Sequence, residues 1–182
     1  VPGHRFVLHP LGLDELAEAV AREHLDFVIT NPGQSVSLAR QYPLAWLATL
    51  KSPAEGDNLA IGAALVVPAQ APYRHWRDLE GKAVAAVSEN AFGGYLAYRF
   101  EAGEQGIRLE RFFSTVQFTG FPLDRLIEQL AAGDVAAAIV PVCQLERMVR
   151  EGKVAASDFR VLDNQAPAGF GCQSSTRLYP NW

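Results

Sequence analysis

The residues with the most chemistry open to them are two cysteines, Cys143 and Cys172. Cys143 follows the apolar run "VAAAIVP" and opens "CQLERMVREG", so it stands where a strand ends and a helix begins. A thiol at a helix N-terminus has its thiolate stabilised and its pKa lowered. Cys143 is therefore a candidate redox-sensitive or nucleophilic thiol. Cys172 lies in "GFGCQSS". There is no C-x-x-C, which argues against a zinc site or a thioredoxin-like motif. Two further readings stand beside the reactive pair. One is a structural disulfide, contributing roughly 3–4 kcal/mol for a loop of this size; the other is two small buried apolar side chains. The histidines, His4, His9, His24 and His75, are scattered without ligand spacing and read as surface or capping residues. No metal and no cofactor is expected.

A second chemistry is written into polar strand ends. In "LDFVITNPGQSV" the apolar run Phe27-Val28-Ile29 stops at Thr30-Asn31-Pro32-Gly33. Ligands of open α/β sheets sit beyond the carboxyl ends of strands. A helix that starts there offers free backbone N–H groups and a partial positive charge, which suit anions. Thr30 and Asn31 add a hydroxyl and an amide, Pro32 suits the first helical turn, and Gly33 lets a ligand approach the backbone. "KAVAAV" is followed by "SENAFGG" with Ser88 and Asn90, and "STVQFT" ends at Thr119 and Gly120. Each junction also reads as a plain helix cap. Together they would make a small-anion site of amides and hydroxyls. Such a site needs no excess of basic residues, in keeping with the formal charge of −4.

The elements that must position these residues alternate. Strands are expected in "HRFVLHP", "LDFVIT", "LAWLATL", "LAIGAALVVP", "KAVAAV", "STVQFT", "VAAAIV" and "FRVL". Helices are expected in "LDELAEAVAREH", "GQSVSLARQY", "GGYLAYRFEAGEQG", "LDRLIEQLAAG" and "CQLERMVREG", with a polar loop in "KSPAEGDN". This alternation is the mark of an α/β protein. With 182 residues the chain can bury one large core or two small lobes. Its acidic balance and lack of a basic stripe argue against nucleic acid, and no apolar window is long enough to span a bilayer. Both ends, Val1 and "LYPNW", read as cuts from a longer protein.

An offset of 110 places Leu13, Asp14, Leu16, Glu18, Ala21 and Ile29 on Leu123, Asp124, Leu126, Glu128, Ala131 and Ile139, and Gly33 on Cys143. Two similar helix–strand units by chance, or two similar lobes, would both give this match. The two-lobe reading makes "LAIGAALVVPAQAP" a crossing between them.

That layout resembles the type II periplasmic binding proteins. "YRHWRDLEGKAVAAV" is similar to the segment that opens their second lobe. "DFVITNPG", "AFGGYLA", "GFPLDRLIEQLAAGDV", "CQLERM" and "GFGCQSSTRLYPNW" together resemble the phosphonate-binding-protein-like sensor domains of histidine kinases, most nearly the tetrathionate-sensor type. The resemblance implies two α/β lobes joined by a two-segment hinge, residues 1–66 with 168–182 against 67–167. It implies an extracytoplasmic, non-enzymatic sensor that binds a small oxyanion between the lobes and signals by closure. The membrane would be met only through segments outside this chain, and a homodimer is an allowed assembly. The expected ligand set is Thr30, Asn31, Gly33, Tyr73, Ser88, Asn90, Ala91, Phe92, Thr119, Gly120 and Cys143. Because tetrathionate carries S–S bonds that a thiolate attacks, a Cys143–Cys172 thiol pair would also read such a ligand. Alternatives are a transporter's phosphonate-binding component and a cysteine-dependent enzyme, with His24 or His75 as base. The chain departs from the pattern twice. A first strand and helix are missing, leaving the first lobe truncated at its N-terminus, and Leu123 stands where relatives often carry His.

Overall fold

Helix signals near the start of the chain are obeyed while strand signals are not, and hydrogen bonding explains the difference. A computed structural model describes residues 3–49 and 60–180. The chain divides into two units, residues 1–45 and 46–182. In the first, α1 (Leu13–Ala21) and α2 (Pro32–Ala39) form locally. Glu15 turns back to accept the Gly12 N–H at 2.7 Å, and Asn31 Oδ1 accepts the Gln34 N–H at 3.1 Å. Pro32 opens α2, where its missing N–H costs nothing. Leu16 and Val20 pack on Leu38, and Gln34 Nε2 donates to the Leu13 carbonyl.

The strands expected in "HRFVLHP", "LDFVIT" and "LAWLATL" are not formed among the described residues. A helix satisfies its backbone within itself, whereas a strand needs a neighbour for every N–H and C=O. Phe6 and Phe27 bring two of these segments within ring contact, centroids 6.0 Å apart, but no ladder joins them. Leu25 and Val28 pack against the Leu16–Val20–Leu38 cluster, but other apolar side chains of these segments stay in solvent, with Leu8 83% and Ile29 86% exposed.

The second unit holds the main core. The expected "LAIGAALVVP" strand is broken at Gly62 into β1 (Ala60–Ile61) and β2 (Ala63–Pro68). A Cβ on Gly62 would sit 2.9 Å from Ser174 Oγ and 3.0 Å from Thr176 Oγ1. The glycine therefore lets the later 162–177 segment pass against the strand. A 3-10 turn (Trp76–Leu79) leads to β3 (Ala83–Ala86). A π-helical turn (Phe92–Leu96) runs into α3 (Ala97–Glu104), followed by α4 (Leu109–Phe112) and β4 (Thr115–Phe118). Then come α5 (Asp124–Ala132), β5 (Ala137–Pro141), α6 (Gln144–Arg150), β6 (Phe159–Val161) and β7 (Tyr179–Pro180).

The five-stranded sheet has the order β4-β3-β5-β2-β6, and β1 pairs separately with β7. β4, β3 and β5 are parallel, and β2 is antiparallel to β5 and β6. β2, residues 63–68, pairs with β5 on one flank and β6 on the other as one strand of this sheet. Period-2 alternation sorts the side chains into two layers. Leu65, Val67, Val84, Ala86 and Ile139 pack toward Tyr98 and Leu109, while Val66, Ala85, Ala138 and Val140 pack toward Leu126, Ile127 and Met148. Burial on both faces explains why these strands read as nearly continuous apolar runs.

Candidate functional site at the carboxyl edge of the parallel strands

Three adjacent parallel strands end together, and their ends carry most of the residues singled out from sequence. Thr119 N–H donates to the Ala86 carbonyl at 3.0 Å and Gly120 N–H to that of Val87 at 2.9 Å, so the ends of β3 and β4 lie side by side. β5 runs on the other flank of β3 and leads through Pro141 to Cys143. The start of antiparallel β2 joins this edge, with Ala63 opposite Pro141. Ser88, Asn90, Ala91, Phe92, Thr119, Gly120 and Cys143 are thus gathered at one edge.

Ser88 is the informative member. Its hydroxyl oxygen is buried and makes no hydrogen bond among the described residues. It does not cap the following helix, whose N-cap is Ala91. A buried hydroxyl without a partner costs free energy, of order 1–3 kcal/mol. The Thr119 hydroxyl is also weakly engaged, 3.5 Å from the carbonyls of Ala86 and Gly120. The π-helical turn begins right after, with Leu96 N–H reaching the Ala91 carbonyl at 3.0 Å. Such turns often mark functional sites. Here close packing helps to set it: a Cβ on Gly93 would come within 2.8 Å of the Gly62 carbonyl. Tyr95, within the turn, sets its ring edge against Phe118 at the end of β4. Burial pushes its phenol up to about 12, so it stays protonated.

Cys143 holds a left-handed backbone, φ 68°, at the N-cap of α6, and it is bonded to Cys172. The chain has two cysteines and neither is free. Of the three readings open from sequence, the structure shows the disulfide rather than a free nucleophilic thiol: Cys143 is 2% exposed and its sulfur is bonded to that of Cys172. The cysteine-dependent enzyme loses its nucleophile with it.

Beneath the edge, one carboxylate fixes the helices that leave it. Asp124, at the start of α5, accepts from Gln144 at 2.9 Å, from Arg147 at 2.5 Å and from Lys153 at 2.6 Å. The hydrogen bond from Lys153 leads in holding its carboxyl below the usual range, with Arg147 and Gln144 adding to it. Leu123 is partly buried against the second core layer and offers no donor.

The remaining expected residues are elsewhere. Thr30, Asn31 and Gly33 belong to the first unit. Asn31 caps α2, and the Thr30 hydroxyl donates to the Gln34 side chain. Tyr73 is not at the carboxyl edge: it follows the far end of β2, where Arg160 holds the carbonyls of Ala69, Ala71 and Tyr73. Sequence reasoning missed the buried Ser174, Ser175 and Thr176. Ser175 Oγ accepts the Leu65 N–H at 2.8 Å and donates to the Leu162 carbonyl at 2.6 Å, and Thr176 Oγ1 accepts the Ala63 N–H at 2.9 Å. Three hydroxyl residues in a row, "SST", were the available signal. Among the described residues no helix is long and apolar enough to cross a membrane, and no group of His, Cys, Asp and Glu is placed to hold a metal.

Comparison with known proteins fits this geometry. Residues 3–182 match the family model described as periplasmic substrate-binding protein of phosphonate ABC transporters. The chain belongs to this family. It is 42% identical over 184 residues to the tetrathionate sensor histidine kinase TtrS of Salmonella typhimurium, covering 100% of this chain and 31% of that protein. This phosphonate-binding family member therefore spans less than a third of that relative. PhnD1 from Prochlorococcus marinus, in complex with methylphosphonate, aligns with a TM-score of 0.68 at 15% identity over 95% of this chain and 59% of that one. A binding-protein component of a phosphonate ABC transporter from Pseudomonas aeruginosa gives 0.69 at 10% identity, over 93% of this chain and 53% of that one. At these identities the structures establish the fold, a type II periplasmic-binding-protein fold. The catalytic domains of a kinase are not part of the family match.

Proposed function

We propose that the chain is the extracytoplasmic sensor domain of a two-component histidine kinase and that it binds a small oxyanion, tetrathionate or a related sulfur or phosphorus compound. The observation that carries the reading is the buried, unpartnered Ser88 hydroxyl at the carboxyl edge of three parallel strands. A hydroxyl in that position donates to an anion without adding charge. Backbone amides of the glycine-containing turn after Ser88 and the Thr119 hydroxyl would supply the other donors. Support for the sensor role is the 42% identity to the tetrathionate sensor kinase.

In this reading the ligand is held between two lobes, residues 1–66 with 168–182 and residues 67–167, with Thr30, Asn31 and Gly33 contributed by the first. A ligand that touches both lobes favours their closed arrangement, and that difference in contacts is the signal. Closure is passed on through segments outside this chain. A second reading, a transporter's phosphonate-binding component, is favoured by the family description.

The test is a thermal-shift panel of tetrathionate, thiosulfate, sulfate, phosphate, phosphite and methylphosphonate on the chain and on Ser88→Ala. An anion at about 100 times its dissociation constant adds about 2.7 kcal/mol of stability. A shift with tetrathionate that Ser88→Ala abolishes supports the sensor reading. A shift confined to phosphonates supports the transport reading. A shift unchanged in Ser88→Ala removes this edge as the site.

A further inference from the structure

We infer that the second unit holds another ligand site, which takes a small zwitterion of amino-acid size. A cavity of about 270 Å³ lies where the segment after β6 crosses α3 and the 3-10 turn, and none of its lining residues belongs to the carboxyl edge. The inference is independent of the oxyanion reading.

Three side chains of this cavity have unused capacity. Tyr98 is 6% exposed, and its hydroxyl makes no hydrogen bond among the described residues. Burial, together with the charges of Asp163 and Glu101, pushes its phenol well up, so it keeps a proton to donate. Glu101 spends one carboxylate oxygen on the Arg177 backbone N–H at 2.8 Å, the Arg177 Nε at 3.3 Å and the Tyr179 hydroxyl at 2.9 Å. Its Oε2 accepts nothing among the described residues. Arg77 donates to the Gln105 side chain at 2.9 Å and stacks over the Trp76 ring, but has no carboxylate partner among the described residues.

The neighbouring pair is already spent. Asp163 accepts the Trp76 N–H at 2.7 Å and faces His75 Nδ1 at 3.0 Å. It holds a left-handed backbone, φ 48°, a conformation that aspartate adopts more readily than most non-glycine residues. Asp163 thus builds the wall, and the open functions are one carboxylate oxygen, one guanidinium and one phenol.

An open oxygen on the Arg177-paired Glu101 carboxylate and a guanidinium without a carboxylate partner among the described residues, in one cavity, select a ligand that carries both charges. Its ammonium would meet Glu101 Oε2, its carboxylate Arg77, and Tyr98 would bond to either. At about 270 Å³ the cavity falls just below the usual volumes of ligand pockets, which run from about 300 Å³ upward, so the ligand is no larger than a small amino acid.

Calorimetric titration with glycine and L-alanine, against propionate and propylamine as single-charge analogues, tests this. We expect a zwitterion to bind at least about tenfold tighter than either analogue, since each loses one charge-assisted hydrogen bond. Arg77→Met and Tyr98→Phe should each weaken it about tenfold, while Ser88→Ala leaves it unchanged. Arg77→Met is decisive because Arg77 bears no fold-holding ion pair, whereas Glu101 holds Arg177. Absence of heat with every amino acid overturns the inference, as does equal binding of propionate, or zwitterion binding unaffected by Arg77→Met.

Discussion

Cys143 and Cys172, 29 residues apart in sequence, are joined by a disulfide with their Cα atoms 5.2 Å apart. The bond ties the turn that follows β5 to the segment that crosses back along β2. Both sulfurs are buried, so the bond acts first as a clamp on that crossing. Closing a loop of this length restricts the unfolded chain and should stabilise the fold by about 3–4 kcal/mol. Cys143→Ser with Cys172→Ser should therefore lower the denaturant midpoint, and reductant should lower that of the native chain but not of the double variant. Equal midpoints in all cases would show that the clamp contributes nothing.

Ser88, half-buried with a buried hydroxyl, and the buried Ser175 carry opposite expectations. The Ser88 hydroxyl has no partner, so Ser88→Ala should leave stability unchanged or slightly raised while weakening oxyanion binding about tenfold. The Ser175 hydroxyl bridges Leu65 and Leu162. Ser175→Ala should cost about 1–3 kcal/mol by orphaning both backbone groups. Chemical denaturation of the two variants reads this contrast, and a loss of stability in Ser88→Ala would show that its hydroxyl is satisfied after all.

The Asp124 carboxyl is held below its ordinary 3.8 by Lys153 first, then Arg147 and Gln144. A depressed carboxylate stabilises the fold above its unfolded pKa, and the contribution disappears as pH falls through the folded value. The native chain should lose stability below about pH 4 more steeply than Asp124→Asn. Parallel acid limbs in melting curves of the two proteins would rule this out.

His75 gives the opposite slope. Hydrogen bonding and charge from Asp163 raise its pKa above 6.5. Its contribution is complete below the unfolded value and is lost as pH rises through the folded one. Between about pH 6 and 8 the native chain should lose stability that His75→Gln never has. The imidazole is exposed, so the effect is small, and identical pH profiles would mean that solvent screens the pair.

Gly62 should tolerate no side chain. A Cβ there would crowd Ser174 Oγ and Thr176 Oγ1, and the Arg177 carbonyl at 3.1 Å. Gly62→Ala should cost about 1–3 kcal/mol, read as a lower melting temperature with the β1–β7 pair opened. An unchanged melting temperature would show that the crossing shifts freely.

The amino-acid sequence by itself determined what is local. It placed α1, α2, α3, α5 and α6, because helices close their hydrogen bonds within a few residues and carry their caps with them, as Asn31 and Pro32 do. It placed β3, β4 and β5, whose apolar runs are bounded by turns, and the polar residues at their ends. The tertiary structure decided what depends on a distant partner. "LDFVIT" and "AAIVP" look alike as sequence, yet only the second, flanked by β2 and β3, becomes a strand. The same holds for side chains. Asn31 and Ser88 both end apolar runs, but Asn31 caps its helix and Ser88 is left without a partner by the packing around it. Whether Cys143 was a thiol or half of a disulfide turned on where the chain brought Cys172, and only folding fixes that distance.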